Sequence, residues 1–286
     1  MKTCIPVLLC LLLFQSTYAQ DTDKTGPITV SLNISSVPTV HFSGKDTAYN
    51  NSLSISPVFD LRGKSGWGAS YSPSILASGY KKGVYMHSIG GGYESYGKKN
   101  FDLAFTYTHY IFTNKTSVPY TPLNNELFFS YAYTKSWLKP IVAASFGFGK
   151  DSAKNSVHDV GIMAGLGHDF SWENTGAFST IEIDPSIVLN AGTNQYFSFI
   201  QTARYLSHSH NFLKYIKKGG LRKKSASGTS TTGASLELSN MELNLENSFE
   251  LGSFSIHPTG SLFFPVSSGT DNSIYGCWQL SLQYHF

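Results

Sequence analysis

The sequence predicts an all-β chain folded as a transmembrane up-and-down antiparallel β-barrel of about twelve strands. Three observations lead there. The final segment, Ser273 to Phe286, alternates strictly: Ile274, Gly276, Trp278, Leu280, Leu282, Tyr284 and Phe286 share one strand face. Tyr275, Cys277, Gln279, Ser281, Gln283 and His285 share the other. Similar alternating segments recur along the chain, and the connections between them are short and long in turn. Composition agrees, with 14% aromatic residues, 26 glycines and only 14% charged residues. Such a balance suits strands that face lipid on one side and a polar lumen on the other.

The chain opens on an export signal. Lys2 supplies the charged start, Ile5 to Phe14 the apolar stretch, and Thr17-Tyr18-Ala19 a small-residue cleavage site before Gln20. Residues 1–19 are therefore read as a signal peptide and 20–286 as one barrel domain. The apolar stretch is shorter than the roughly 20 residues a spanning helix requires. Cys4 and Cys10 leave with the signal, so Cys277 stays alone and no disulfide stiffens the mature chain. The formal net charge of +3 gives no footprint for nucleic acid.

The predicted strands are Ile28–Phe42, Ser52–Arg62, Gly66–Ala77, Val84–Ser95, Phe101–Phe112, Asn125–Trp137, Ile141–Gly149, Val157–Trp172, Ala177–Asn190, Ala234–Glu250, Ser253–Pro265 and Ser273–Phe286. A ten-strand count follows if Ile28–Phe42 and one weak neighbour lie outside the barrel. Tight turns are expected near Gly63-Lys64-Ser65, Tyr96–Asn100, Leu138–Pro140, Glu173–Gly176 and Leu251-Gly252. Longer polar loops fall at Ser43–Asn51, Ser78–Gly83, Thr113–Asn124, Lys150–Ser156, Ala191–Gly233 and Val266–Asn272. Pro57, Pro185 and Pro258 sit within strands, where each removes a ladder donor, and are expected at bulges or bends.

The faces opposite the apolar ones are acidic. Asp60, Glu94, Asp102, Glu126, Asp159, Asp169, Glu182, Asp184, Glu237, Glu242 and Glu246 alternate with apolar neighbours. The leading lumen candidates are Asp102, Asp159, Asp169, Glu182, Asp184 and Glu242. Two readings follow. The acids pair with Arg62, lysines and tyrosine hydroxyls in a packed polar interior, or they line a cation-preferring pore.

Residues 191–233 are too long for a structureless loop in a compact domain. Phe197, Ile200 and Ala203, then Phe212, Leu213, Tyr215 and Ile216, recur at helical spacing, which predicts a short helix within 194–217. Lys214, Lys217, Lys218, Arg222, Lys223 and Lys224 follow, before a flexible SASGTSTTG tether. This basic stretch is read as a solvated loop, as a contact to anionic lipopolysaccharide, or as a plug folded into the acidic lumen.

The closing strand resembles that of bacterial outer-membrane barrels, whose terminal Phe is a signal to the barrel assembly machinery. On that resemblance Phe286 is the contact to the machinery, and the protein belongs in the bacterial outer membrane, in contact with its lipids and lipopolysaccharide. Two further stretches, Ile183–Phe197 and Leu245–Phe264 with the closing strand, resemble uncharacterised outer-membrane barrel proteins of the Bacteroidota. The resemblance implies one barrel domain and brings no ligand, cofactor or site residue. Asp46-Thr47-Ala48 and Asp151-Ser152-Ala153 look like the O-glycosylation signal of that phylum, with Thr47 and Ser152 as acceptors in loops.

Chemistry is thinly signalled. Lipid-modifying barrel enzymes, phospholipases and lipid A deacylases, place a Ser and a His at the outer rim. His208-Ser209-His210 is the nearest match, but its order is wrong and it lies in a loop. His41-Phe42-Ser43 and Met86-His87-Ser88 are coincidences expected among nine histidines. Two histidines at 208 and 210 without a third placed ligand do not make a metal site. The expectation is a non-enzymatic, porin-like barrel without a cofactor, acting as a small-solute channel or as a structural and surface-interaction protein. A lipid-modifying hydrolase is the alternative, and the solute, protein partner and oligomeric state are left open.

Overall fold

The computed structural model describes residues 28–43, 46–79, 82–96, 100–113, 122–150, 153–193, 236–266 and 274–286. Its strands are β1 (Ile28–Ser43), β2 (Asp46–Arg62), β3 (Trp67–Leu76), β4 (Gly83–Ser95), β5 (Phe101–Phe112), β6 (Leu123–Tyr133) and β7 (Lys139–Lys150). They continue as β8 (Ser156–Gly167), β9 (Phe170–Thr175), β10 (Phe178–Gly192), β11 (Glu237–Leu251), β12 (Phe254–Pro265) and β13 (Tyr275–His285). Each pairs antiparallel with the next, except that β8 pairs with β10, and β13 pairs with β1 from Thr29↔His285 to Ser35↔Gln279. The sheet therefore closes on itself.

β8 and β9 are two halves of one stave. Both pair with β10, and the register of Ser186↔Gly167 continues unshifted into Ile183↔Phe170. The 13 strands thus make 13 − 1 = 12 staves. The gap falls at His168 and Asp169, opposite Pro185, which has no N–H to offer the ladder. His168 still donates its own N–H to the Pro185 carbonyl at 3.1 Å.

Alternation sorts side chains in the sense required of a membrane barrel. On β5, Asp102, Ala104, Thr106, Thr108 and Tyr110 are buried, while Phe105, Tyr107 and Ile111 are 40–48% exposed. The outward row continues through Leu127, Phe129, Val142, Ile162, Leu166, Ile187, Leu189, Leu243, Leu245, Leu262 and Trp278, all exposed. An apolar outside around a polar inside inverts the soluble pattern and makes this a transmembrane barrel. Closure satisfies the backbone within the sheet, which hydrocarbon demands because it offers no hydrogen bonds.

The hairpins follow from turn chemistry. Gly66, Gly176 and Gly252 have φ of +93°, +66° and +61° at three short turns, where a side chain would be strained. These turns, with both described ends of the chain, lie at one end of the barrel; the longer connections lie at the other.

Several expectations need correction. The β1–β2 ladder runs out to Ser43↔Asp46, so the polar stretch predicted as a loop at Ser43–Asn51 is mostly strand. Asp46-Thr47-Ala48 accordingly lies in β2. The prolines mark no bulge. The β2–β3 register is the same at Ile55↔Ile75 and Phe59↔Tyr71. Between those pairs it sets Pro57 opposite Pro73, and there the ladder merely opens, because neither residue has an N–H. The β11–β12 register likewise passes Pro258 unshifted. The irregularities fall instead at Ser74/Ile75, Leu123/Asn125 and Asn190/Ala191. Glu237, opposite Gly192 at the start of β11, is exposed at the long-loop rim rather than buried in the lumen. The helix expected within 194–217, the basic stretch, His208 to His210 and Ser152 lie outside the described residues.

Candidate functional site: the acidic lumen

The interior is built from inward residues of every stave, and it divides by side-chain chemistry. Around β1, β12 and β13 the buried lining is neutral: Asn33, Ser35, Ser255, Thr259, Ser261, Gln279, Ser281 and Gln283. Elsewhere it carries Asp60, Glu94, Asp102, Glu126, Asp159, Asp184, Glu242 and Glu246, none more than 8% exposed. Of the leading candidates, Asp102, Asp159, Asp184 and Glu242 are thus buried in the lumen. Asp169 and Glu182, nearer the short-turn end, are half-buried.

At the short-turn end one guanidinium organises two of these acids. Arg62 Nη2 lies 3.0 Å from Glu94 Oε1 and 3.5 Å from Asp60 Oδ2, and Nη1 donates to the Gly66 carbonyl at 3.2 Å. Arg62 is on β2 and Glu94 on β4, so the side chain must cross β3. It crosses at Gly68, its direct cross-strand partner. A Cβ there would stand 3.2 Å from Arg62 Cζ and 2.7 Å from the Leu61 carbonyl oxygen. The missing side chain makes the bridge possible. Lys139 pairs with Asp169 at the same end.

In the long-loop half, uncharged donors take over. The Tyr110 hydroxyl donates to Glu126 Oε2 at 2.8 Å. Asn190 Nδ2 donates to Asn240 Oδ1 at 2.9 Å and to Glu242 Oε2 at 3.4 Å. Thr193 Oγ1 donates to Asp159. Apolar side chains fill in between. Val37, Leu76, Tyr85, Met86 and Tyr110 form one buried cluster, and Ala104, Phe128, Ala143, Met163 and Val188 another. Phe128, Phe263, Met86 and Met163 are at most 2% exposed although they point inward. The inward side chains are therefore shielded from solvent, the arrangement a polar interior reaches when its charges are paired or hydrogen-bonded.

One Ser–His pair escaped the sequence reading. Ser255 Oγ and His257 Nε2 are 2.6 Å apart, two positions apart on β12. A nucleophile and base at hydrogen-bond distance is the elementary requirement of acyl transfer. This pair, however, is buried inside the barrel toward the short-turn end, away from the rim where a lipid substrate would meet it. Its signal, Ser-x-His within a strand, is too common to have been singled out. Among the described residues no group of three or more His, Cys, Asp or Glu is disposed to hold a metal ion.

No family model matches the chain, and no curated protein matches it. Solved structures similar to it are barrels. The translocator domain of the autotransporter NalP from Neisseria meningitidis is 9% identical, with 93% of this chain and 90% of that one covered and a TM-score of 0.45. The NanC porin is 8% identical, covering 91% of this chain and all (100%) of that one, with a TM-score of 0.43. LpxR from Salmonella typhimurium is 6% identical, covering 90% and 100%, with a TM-score of 0.39. At these scores the likeness carries no residue role to this chain.

Proposed function

We propose that the protein is a non-enzymatic integral barrel of the bacterial outer membrane whose acidic interior is shut at rest. Its work is then structural or surface-directed, with cation passage only when the interior is opened. The observation that carries this reading is the lumen. Inward carboxylates are paired, hydrogen-bonded and buried among Phe128, Phe263, Met86 and Met163. An open, wet pore would leave such side chains exposed.

The export signal expected from the sequence, the apolar outer belt and the C-terminal strand support this location. Phe286 is 53% exposed, packs edge-on against Tyr284 with ring centroids 4.7 Å apart, and hydrogen-bonds through its N–H to the Ile28 carbonyl. An accessible terminal aromatic supports a role as the contact to the assembly machinery. The basic stretch Lys214, Lys217, Lys218, Arg222, Lys223 and Lys224 is opposite in charge to the lumen, which supports the plug reading over a merely solvated loop.

Planar-bilayer conductance of the refolded wild type and of a deletion of 207–232 tests this. Silence in the wild type with cation-selective current after deletion is expected. Steady current in the wild type would overturn the closed interior, and silence in both would remove the channel component.

A further inference from the structure

The outward face of β3 to β8 departs from its apolar pattern along one cross-strand row. Direct cross-strand neighbours there read Tyr71, Ile89, His109, Asn125, Phe148 and His158, from β3 to β8 in turn. This row lies on the lipid-facing side; it starts at mid-strand with Tyr71 and Ile89 and reaches the long-loop ends of β5 to β8, where its polar members His109, Asn125 and His158 stand. Two further polar residues, His87 and Tyr107, flank it on β4 and β5.

The row is internally organised. The Tyr107 hydroxyl donates to Asn125 Oδ1 at 2.7 Å. His109 Nδ1 is 2.9 Å from the same oxygen. An amide oxygen only accepts, so Nδ1 carries the proton and Nε2 is left as the outward-facing atom. Asn125 Nδ2 in turn donates to Asn124 Oδ1 at 2.7 Å and to the Phe148 carbonyl at 3.3 Å, which fixes the amide's orientation. The Tyr71 hydroxyl and His87 Nδ1 are 2.9 Å apart, with the two rings stacked. Polar side chains on the lipid face are costly at mid-membrane and acceptable near its surface. An interfacial belt needs only Tyr and Trp; a histidine held by an amide goes further.

The surroundings indicate the occupant. Aromatic faces at Tyr71, Tyr107 and Phe148 suit a sugar ring, and the oriented imidazoles and the amide suit its hydroxyls. Beyond the row, Lys150 at the end of β7 and Lys82 and Lys154 in the connections before β4 and β8 are exposed at the long-loop end, a cationic crown placed for phosphate. We propose that Tyr71, His87, Tyr107, His109 and Asn125 form a surface site for the headgroup of a phosphorylated glycolipid. The site rests on the reading of the protein as an outer-membrane barrel.

The test uses the refolded full-length mature chain in phosphatidylethanolamine vesicles doped with purified bis-phosphorylated lipid A, or with phosphatidylglycerol at equal charge. Bound lipid is counted by native mass spectrometry after gentle extraction. Wild type should retain lipid A in preference to phosphatidylglycerol, and Asn125→Leu and His109→Phe should each weaken retention by about tenfold. Tyr71→Phe, which keeps the ring and loses one hydroxyl, serves as the minimal variant and should give a smaller loss. Equal retention of the two lipids by wild type, or unchanged retention in all three variants, overturns the site. Heat-modifiable migration in the same vesicles reports insertion separately: an uninserted wild type refutes the barrel reading itself, whereas an inserted one that ignores lipid A refutes only the site.

Discussion

Removing the Arg62 guanidinium is the sharpest probe of the packed lumen. Arg62→Met keeps the stem and takes away the charge that bridges Asp60 and Glu94 at 3.5 and 3.0 Å. Both carboxylates are at most 8% exposed as side chains, whereas the Arg62 side chain is 27% exposed. Breaking a fully buried pair from one side costs about 3–5 kcal/mol, because the remaining charge is left uncompensated. Solvent at Arg62 screens part of that, so the expected loss is about 2–3 kcal/mol. With an urea slope of about 3 kcal/mol/M for a chain of this size, the midpoint should fall by about 0.7–1 M. The assay is reversible urea unfolding in phospholipid vesicles followed by tryptophan fluorescence. The double variant Arg62→Met/Glu94→Gln should recover about half the loss, since a neutral amide no longer needs the cation. A single-variant shift below about 0.2 M, or no recovery in the double, would refute the claim that paired charge holds this end of the lumen together.

Other outcomes follow from the same structure. Gly68→Val should cost about 1–3 kcal/mol by crowding the Leu61 carbonyl and the guanidinium, and much of that cost should vanish in the Arg62→Met background, as a double-mutant cycle would show. Leu243→Arg, on the lipid face at 41% exposure, should cost about 2–4 kcal/mol in vesicle unfolding; a neutral result would move that position out of the hydrocarbon. Deleting Phe286 should lower the heat-modifiable fraction in outer membranes while leaving refolding in detergent nearly unchanged. A hexose mass shift on the Thr47 peptide of protein from its natural host would establish that residue as a modified acceptor, and its absence would remove it.

Most of the barrel could be read from the sequence because alternation is imposed by burial on both sides at once. β5, with Asp102 to Tyr110 inside and Phe105 and Tyr107 outside, has no exception to its pattern and was placed at its true ends. β4, expected at Val84–Ser95 and observed at Gly83–Ser95, is the least clearly patterned strand, and the reason is physical. The register shift opposite Ser74/Ile75 sets Ser74 against Met86 and Ile75 against Val84, which leaves Tyr85 as the extra residue. Tyr85 and Met86 are then both buried, and no period-two pattern can express two consecutive inward side chains. Inward Gly90 and Gly92 erase the signal further along the strand. The same limit applies to the lumen: carboxylates on the inner face are visible in the sequence, but the partnership of Arg62 with Glu94 depends on the empty position at Gly68, on the strand between them. The lipid-face row of His109, Asn125 and His158 was missed because its members are neighbours only across strands.

The seam between β1 and β13 has a consequence for how the molecule comes into being. Thr29 and His285, joined there by a side-chain hydrogen bond, are separated by 256 positions, whereas the other staves pair with their neighbours in sequence. Hairpins can therefore form as soon as two adjacent strands are available, but the ring cannot shut until the last strand has been exported. Until then β1 and β13 each present a bare edge, the most adhesive surface a sheet has. Closing so distant a contact is entropically slow, so the interval before closure is when these two edges stand open to pairing with other chains.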